Sequence, residues 1–139
     1  MIVYCAGAIK GDITYQSYYK EIISIVKSFN HTAISELNKE FKESEVISDK
    51  QIYERDINWL KESDIMIAEV SGPSLGVGYE IAYALNVIKI PVLALLYTGV
   101  KKVSSIIAGC TSELFIIREY GSPDEMQKHI EEFLFKYQP

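Results

Sequence analysis

The chain has 139 residues, 48% of them hydrophobic and 24% charged, with a formal net charge of -5. That is the composition of one folded domain with a substantial core, and it excludes an intrinsically disordered chain. The acidic balance argues against nucleic acid as the main partner, since phosphate backbones select basic surfaces, but a small phosphorylated ligand needs only a local pocket. No apolar run approaches the roughly 20 residues of a membrane span, and the start lacks a cationic segment with a cleavage site. The expectation is a soluble, cytoplasmic protein with no membrane contact. Cys5 and Cys110 lack metal-ligand spacing and read as small core residues.

Along the chain, Ile2 to Ala6 is a short β-prone run, and the turn Gly7-Ala8-Ile9-Lys10-Gly11-Asp12 follows it. A first helix is expected over Tyr15 to Phe29, with Tyr19, Ile22, Ile23 and Val26 on one face. A weak strand over Thr32 to Ser35 precedes a polar loop, Glu36 to Asp49. In a second helix, Lys50 to Glu62, the residues Ile52, Tyr53, Ile57, Trp59 and Leu60 share one arc of about 160°. Asp56 lies inside that apolar arc. A carboxylate there is costly without a partner, so Asp56 is either a locally paired residue or an acid at a pocket edge.

The run Ile65 to Val70 reads as a central strand interrupted by Glu69. A third helix is expected from about Gly76 to Val87, then a buried strand from Ile90 to Tyr97. Thr98 to Cys110 reads as a loop with a turn of helix. Leu114 to Ile117 reads as the last strand. Pro123 to Tyr137 is the last helix, with Met126, Ile130, Phe133 and Leu134 facing inward. This alternation predicts an α/β fold, a flavodoxin-like or Rossmann-like three-layer sandwich whose five-stranded parallel sheet has the order 2-1-3-4-5.

In such a sheet, ligands bind beyond the carboxyl ends of the strands where the strand order reverses, here between strands one and three. The two loops leaving those strands, Gly7 to Asp12 and Ser71 to Gly78, are also the most glycine-rich. Their backbone N–H groups suit an anion such as phosphate, with Ser74 as a hydroxyl donor and Lys10 as a charge. Glu80 is the one charged residue between Ser71 and Ile88. It is therefore either a site group or a paired structural carboxylate. A dinucleotide on the Gly76-Val77-Gly78 turn would meet that anion, which argues against a dehydrogenase. Glu80 with Asp56 gives two carboxylates at one pocket, the equipment of glycosidic-bond chemistry, with Tyr4 placed to orient the nucleophile.

The segments Asp56-Ile57-Asn58-Trp59-Leu60, Ile67-Ala68-Glu69-Val70 and Pro73-Ser74-Leu75-Gly76-Val77-Gly78-Tyr79-Glu80 closely resemble the 2'-deoxynucleoside 5'-phosphate N-hydrolases, within the nucleoside 2-deoxyribosyltransferase superfamily. Tyr4 to Gly11 is similar to that family's first-strand loop, and Val103 to Gly109 to its late loop. The resemblance implies that Glu80 is a nucleophile forming a covalent sugar-phosphate intermediate. It further implies that Asp56 is the partner carboxylate beside sugar and base, and that Tyr4 positions the nucleophile. Gly7, Ala8, Ile9, Lys10, Gly11, Ser74 and Gly76 fall in the implied substrate and 5'-phosphate site, and Tyr19 is the substrate-contacting tyrosine of helix one. Ser104 of the partner subunit is implied to reach the phosphate, so the resemblance also implies a homodimer with shared sites and no metal or organic cofactor.

Two positions depart from the family. Ala8 and Lys10 stand where its loop often has serine and arginine, which removes one hydroxyl and turns a bidentate fork into a point charge. The family's histidine after strand two has no equivalent; Glu36 or Leu37 occupies that region. The reaction implied is hydrolysis of a 2'-deoxynucleoside 5'-monophosphate to a free base and 2-deoxyribose 5-phosphate, with base preference open. Two alternatives remain: deoxyribosyl transfer to a second base, and a nucleotide-binding module without chemistry.

Overall fold

The computed structural model of the chain describes residues 1–37 and 48–139; most of the polar loop expected over Glu36 to Asp49 lies outside those residues. Five strands, β1 (Ile2–Ala6), β2 (Thr32–Ile34), β3 (Ile65–Glu69), β4 (Val92–Tyr97) and β5 (Phe115–Tyr120), form one parallel sheet in the order β2-β1-β3-β4-β5. The expected topology is the observed one. It follows from the alternation of strand and helix, with right-handed crossovers between parallel strands and one reversal of direction at β1, between β2 and β3.

Side chains two apart along each strand share a face, and both faces are apolar. Val3 and Cys5 of β1, Ile65 and Ile67 of β3, and Leu93 and Leu95 of β4 pack under α1 (Gln16–Ser28) and α5 (Pro123–Tyr137). The alternate residues Tyr4, Ala6, Met66, Ala68, Val92 and Ala94 pack with Leu60 of α2 (Asp49–Glu62) and with Val77 and Ile81 of α3 (Leu75–Tyr83). These are the three layers. Among the described residues, no helix is long and apolar enough to cross a membrane.

The helix starts are written in local chemistry. Ser48 and Gln51 form a reciprocal capping box at α2, Ser74 caps α3 by accepting the Val77 N–H, and Ser122 caps α5 ahead of Pro123. Boundaries differ from expectation in three places. A single 3-10 turn, Ile13–Tyr15, precedes α1. α3 passes at Ala84 into a wider π-helical turn, Ala84–Ile88, and ends at Lys89 with a left-handed φ of 64°. β5 runs on to Tyr120 because it is an edge strand, where the exposed Arg118 and Glu119 break the apolar pattern but not the pairing with β4. A short helix, α4 (Ser105–Ala108), lies in the late loop.

Glu69, the charge at the end of β3, points to the α1/α5 face and is 3% exposed. The Tyr120 hydroxyl donates to its carboxylate, and its other oxygen accepts the Ser71 N–H at 2.5 Å. The Ser71 hydroxyl in turn accepts the Tyr97 N–H at 2.7 Å. Burial holds Glu69 above the ordinary carboxyl range, while Tyr120 and Ser71 pull it back down. This buried network fixes Ser71, the second residue of the β3–α3 loop, from behind the sheet.

Candidate active site

At the reversal of strand order, a cleft of about 430 Å³ opens between the ends of β1 and β3. Its walls bring together Tyr4, Gly7, Ile9, Lys10, Gly11, Tyr19, Asp56, Ser74, Gly76 and Glu80. Two expected residues stand apart. Ala8 is buried, 7% exposed, and does not line the cleft. Ser104 immediately precedes α4, makes no side-chain capping bond, and lines a second, more apolar hollow of about 620 Å³ on the other side of Ser74 and Leu75. Within one chain, Ser104 does not join the carboxylates.

The two glycine loops form the floor by clasping each other. The Asp12 N–H donates to the Pro73 carbonyl at 3.2 Å. A Cβ on Gly11 would sit 2.4 Å from that carbonyl oxygen, and one on Gly72 would sit 2.3 Å from the Asp12 oxygen. No glycine here has a positive φ, so the glycines serve close approach rather than the backbone freedom expected of them. Ser74 accepts the Val77 N–H at 3.3 Å as the α3 cap, which leaves its O–H free to donate toward the cleft. Tyr19 is 2% exposed, with its ring directly against Gly7. Its hydroxyl donates to the Cys5 carbonyl at 2.8 Å and pairs with Ser35, so its ring, not its hydroxyl, is what faces a ligand.

Glu80 sits on the second turn of α3, partly buried against Tyr4. Burial, and then the charges of Asp56 and Glu36, push its carboxyl up to about 8, against a hydrogen bond from Tyr4 and the positive charge of Arg55. Burial and the neighbouring Glu80 and Asp56 raise Tyr4 well above the ordinary phenol range, so its hydroxyl stays protonated and donates. Asp56 is 8% exposed and paired: the Arg55 Nε donates to its Oδ1 at 2.8 Å. Arg55 reaches Glu36 as well, at 2.8 Å, and lies 4.6 Å over the Trp59 ring. Both readings of Asp56 therefore hold, since it is a paired carboxylate and a cleft residue. Tyr53, expected on the buried arc of α2, is instead 50% exposed and packs edge-on against Tyr79.

Arg55 and Glu36 are the residues that sequence reasoning passed over. Arg55 borders the apolar arc of α2 beside Trp59, and a cation adjoining a buried Asp was the available signal. Glu36 lines the cleft just past β2, and burial with Asp56 pushes its carboxyl up to about 7, opposed by Arg55. Among the described residues, no group of three or more His, Cys, Asp or Glu side chains is placed to hold a metal ion.

Fold and cleft define a doubly wound α/β protein with a carboxylate-lined ligand site at the strand-order switch. The family model described as nucleoside 2-deoxyribosyltransferase matches residues 3–116, and the chain belongs to that family. A Syntrophotalea carbinolica protein provisionally named 2'-deoxynucleoside 5'-phosphate N-hydrolase 1 is 36% identical over 128 residues, spanning 91% of this chain and 89% of that one. A Tetraodon nigroviridis protein named 5-hydroxymethyl-dUMP N-hydrolase is 32% identical, spanning 96% of each. Among solved structures, a CMP N-glycosidase from Clostridium botulinum superposes with a TM-score of 0.72 at 19% identity, covering 96% of this chain and 100% of that one. At that identity the likeness speaks for the fold.

The raised carboxyl of Glu80 has a stability consequence. Between its ordinary value of 4.5 and about 8, the folded chain keeps a proton on Glu80 that the unfolded chain releases, so stability falls as pH rises through that window. Glu80→Gln is expected to match wild type below that window. Above it, the variant gains at least about 1 kcal/mol, roughly 3 °C in Tm. Thermal melts across pH check this; equal melting at about pH 8.5 would show that Glu80 ionises in the fold at no cost.

Proposed function

We propose that the chain hydrolyses the N-glycosidic bond of 2'-deoxynucleoside 5'-monophosphates, releasing a free base and 2-deoxyribose 5-phosphate. The observation that carries the reading is the single cleft in which Tyr4, Glu80 and Asp56 face the Gly7–Gly11 loop and Ser74. The names of the relatives support the reaction class: 5-hydroxymethyl-dUMP N-hydrolase describes cleavage of a nucleotide at its base.

The Gly7–Gly11 loop, Lys10 and Ser74 hold the 5'-phosphate, which places the sugar over Glu80. The Glu80 carboxylate attacks the anomeric carbon and forms a glycosyl ester as the C–N bond breaks. The electron pair leaves with the base, which takes a proton from or through Asp56. Water then attacks the same carbon, its proton returns to the acid, and Glu80 is released as carboxylate. Two displacements retain configuration. Tyr4 holds the attacking oxygen in line. Burial serves this step, since a poorly solvated carboxylate is the more reactive nucleophile in the fraction of the protein where Glu80 is ionised.

The proposal includes a cytoplasmic homodimer with shared sites. Leu75 and Ile106 are 96% and 82% exposed beside the second hollow, and an apolar rim of that kind favours a partner surface. In that arrangement, Ser104 of the partner subunit lies beside the phosphate loop. The family name also keeps deoxyribosyl transfer in view, because the same ester could pass its sugar to a second base. The phosphate cradle favours hydrolysis, and adding an acceptor base to the assay separates the two.

Product analysis with deoxy- and ribonucleotides, each with and without 5'-phosphate, is expected to show base release from deoxynucleoside monophosphates alone. Glu80→Ala is expected to lower that rate about 10⁴-fold or more, and near-wild-type turnover would sink the mechanism. The dimer has its own check. Sedimentation of wild type is expected at twice the chain mass, with Ile106→Asp monomeric and impaired; a monomeric, active wild type would contradict shared sites.

A further inference from the structure

Among the described residues, the cleft holds one carboxyl more than a nucleophile and its partner require. Glu36 follows β2, the strand beside β1, and lines the same wall as Asp56. The Arg55 guanidinium contacts both carboxyls, through Nη2 to Glu36 and Nε to Asp56, each at 2.8 Å, and so holds them side by side. Two carboxyls bridged by one guanidinium cannot both ionise cheaply, since one positive charge neutralises only one of them, so the arrangement is satisfied when the pair shares a proton.

We propose that Glu36 and Asp56 form a proton-sharing carboxyl pair, with Glu36 the residue that stores the proton delivered to the leaving base. This rests on the hydrolase reading above and specifies its acid. In the first step the pair's proton passes to the departing base as the glycosidic electrons move onto it, and the pair becomes doubly ionised against Arg55. In the second step the pair takes a proton from the attacking water, whose oxygen bonds to the anomeric carbon as the ester to Glu80 breaks. Atoms and charge return to their starting state, with one water consumed.

The surroundings match that cycle. Glu36 is faced by Asp56 and Arg55 from α2, Glu80 from α3, Tyr4 from β1 and Tyr19 from α1, and Lys10 lies across the cleft. Among the described residues, Arg55 is the cation in contact with the pair, and it lies 4.6 Å over the Trp59 ring. Glu36 is held up to about 7, a suitable poise for an acid that must both give and regain a proton near neutrality.

The test compares two leaving groups. A nucleotide base needs a proton to depart, whereas 4-nitrophenyl 2-deoxyribose 5-phosphate releases a stable anion that does not. Glu36→Gln keeps an oxygen for Arg55 but cannot share an acid proton. Its kcat/KM for deoxynucleotides is expected to fall about 100-fold, and for the nitrophenyl substrate less than about 3-fold. The alkaline limb of the nucleotide pH profile should also vanish, since no shared proton remains to be lost. Equal losses on both substrates would make Glu36 a structural residue and overturn the pair, as would no loss on either. A wild-type protein inert to both substrates would overturn the hydrolase reading itself, and the pair with it.

Discussion

The structure depends on keeping three carboxyl groups, counted among the described residues, in one partly buried cleft with a single guanidinium among them. Glu36 follows β2, Asp56 lies on α2 and Glu80 on α3, and the neighbouring carboxylates raise the cost of ionising Glu36 and Glu80. Arg55 binds the first two, and the Tyr4 hydroxyl serves the third. That division separates the roles. In the proposed mechanism the pair held by arginine supplies the proton, while Glu80, faced by the neutral Tyr4 hydroxyl, is the nucleophile.

Such a cluster works against folding, and the scaffold offsets it from two directions. The sheet contributes a dense apolar core on both faces, which anchors the strand ends that carry Tyr4 and the β3–α3 loop. Behind the sheet, Glu69 ties Tyr120 to Ser71, and Ser71 ties that loop to β4. In front, the Asp12–Pro73 hydrogen bond locks the two glycine loops at a separation no side chain would permit. The cleft floor is thus fixed before any ligand arrives, which is what positioning a sugar against one oxygen demands.

The strand order, both helix layers and the position of the cleft were legible in the sequence, because periodicity and the switch-point rule depend only on patterns of apolar residues and glycines. Glu80 stood out as a lone charge, and Asp56 as a charge in an apolar arc. The roles of Arg55 and Glu36 were not legible. They arise from contact between the end of β2 and the middle of α2, about twenty residues apart in the chain, and no local pattern reports a contact of that kind. The glycines were legible as important but for the wrong reason, since close approach between two loops is a tertiary fact. Ser104 lies beyond the cleft of its own chain, so its proposed role depends on a second copy.

The central claim is that Glu80 forms a bond to the sugar. A deoxynucleotide analogue with fluorine at the sugar 2-position destabilises the positive charge of both displacements and lengthens the life of any ester. Mass spectrometry of protein quenched with this analogue is predicted to show one sugar phosphate added per chain, on the peptide containing Glu80. Turnover of the analogue with no adduct, and with inversion at the anomeric carbon, would contradict the account directly.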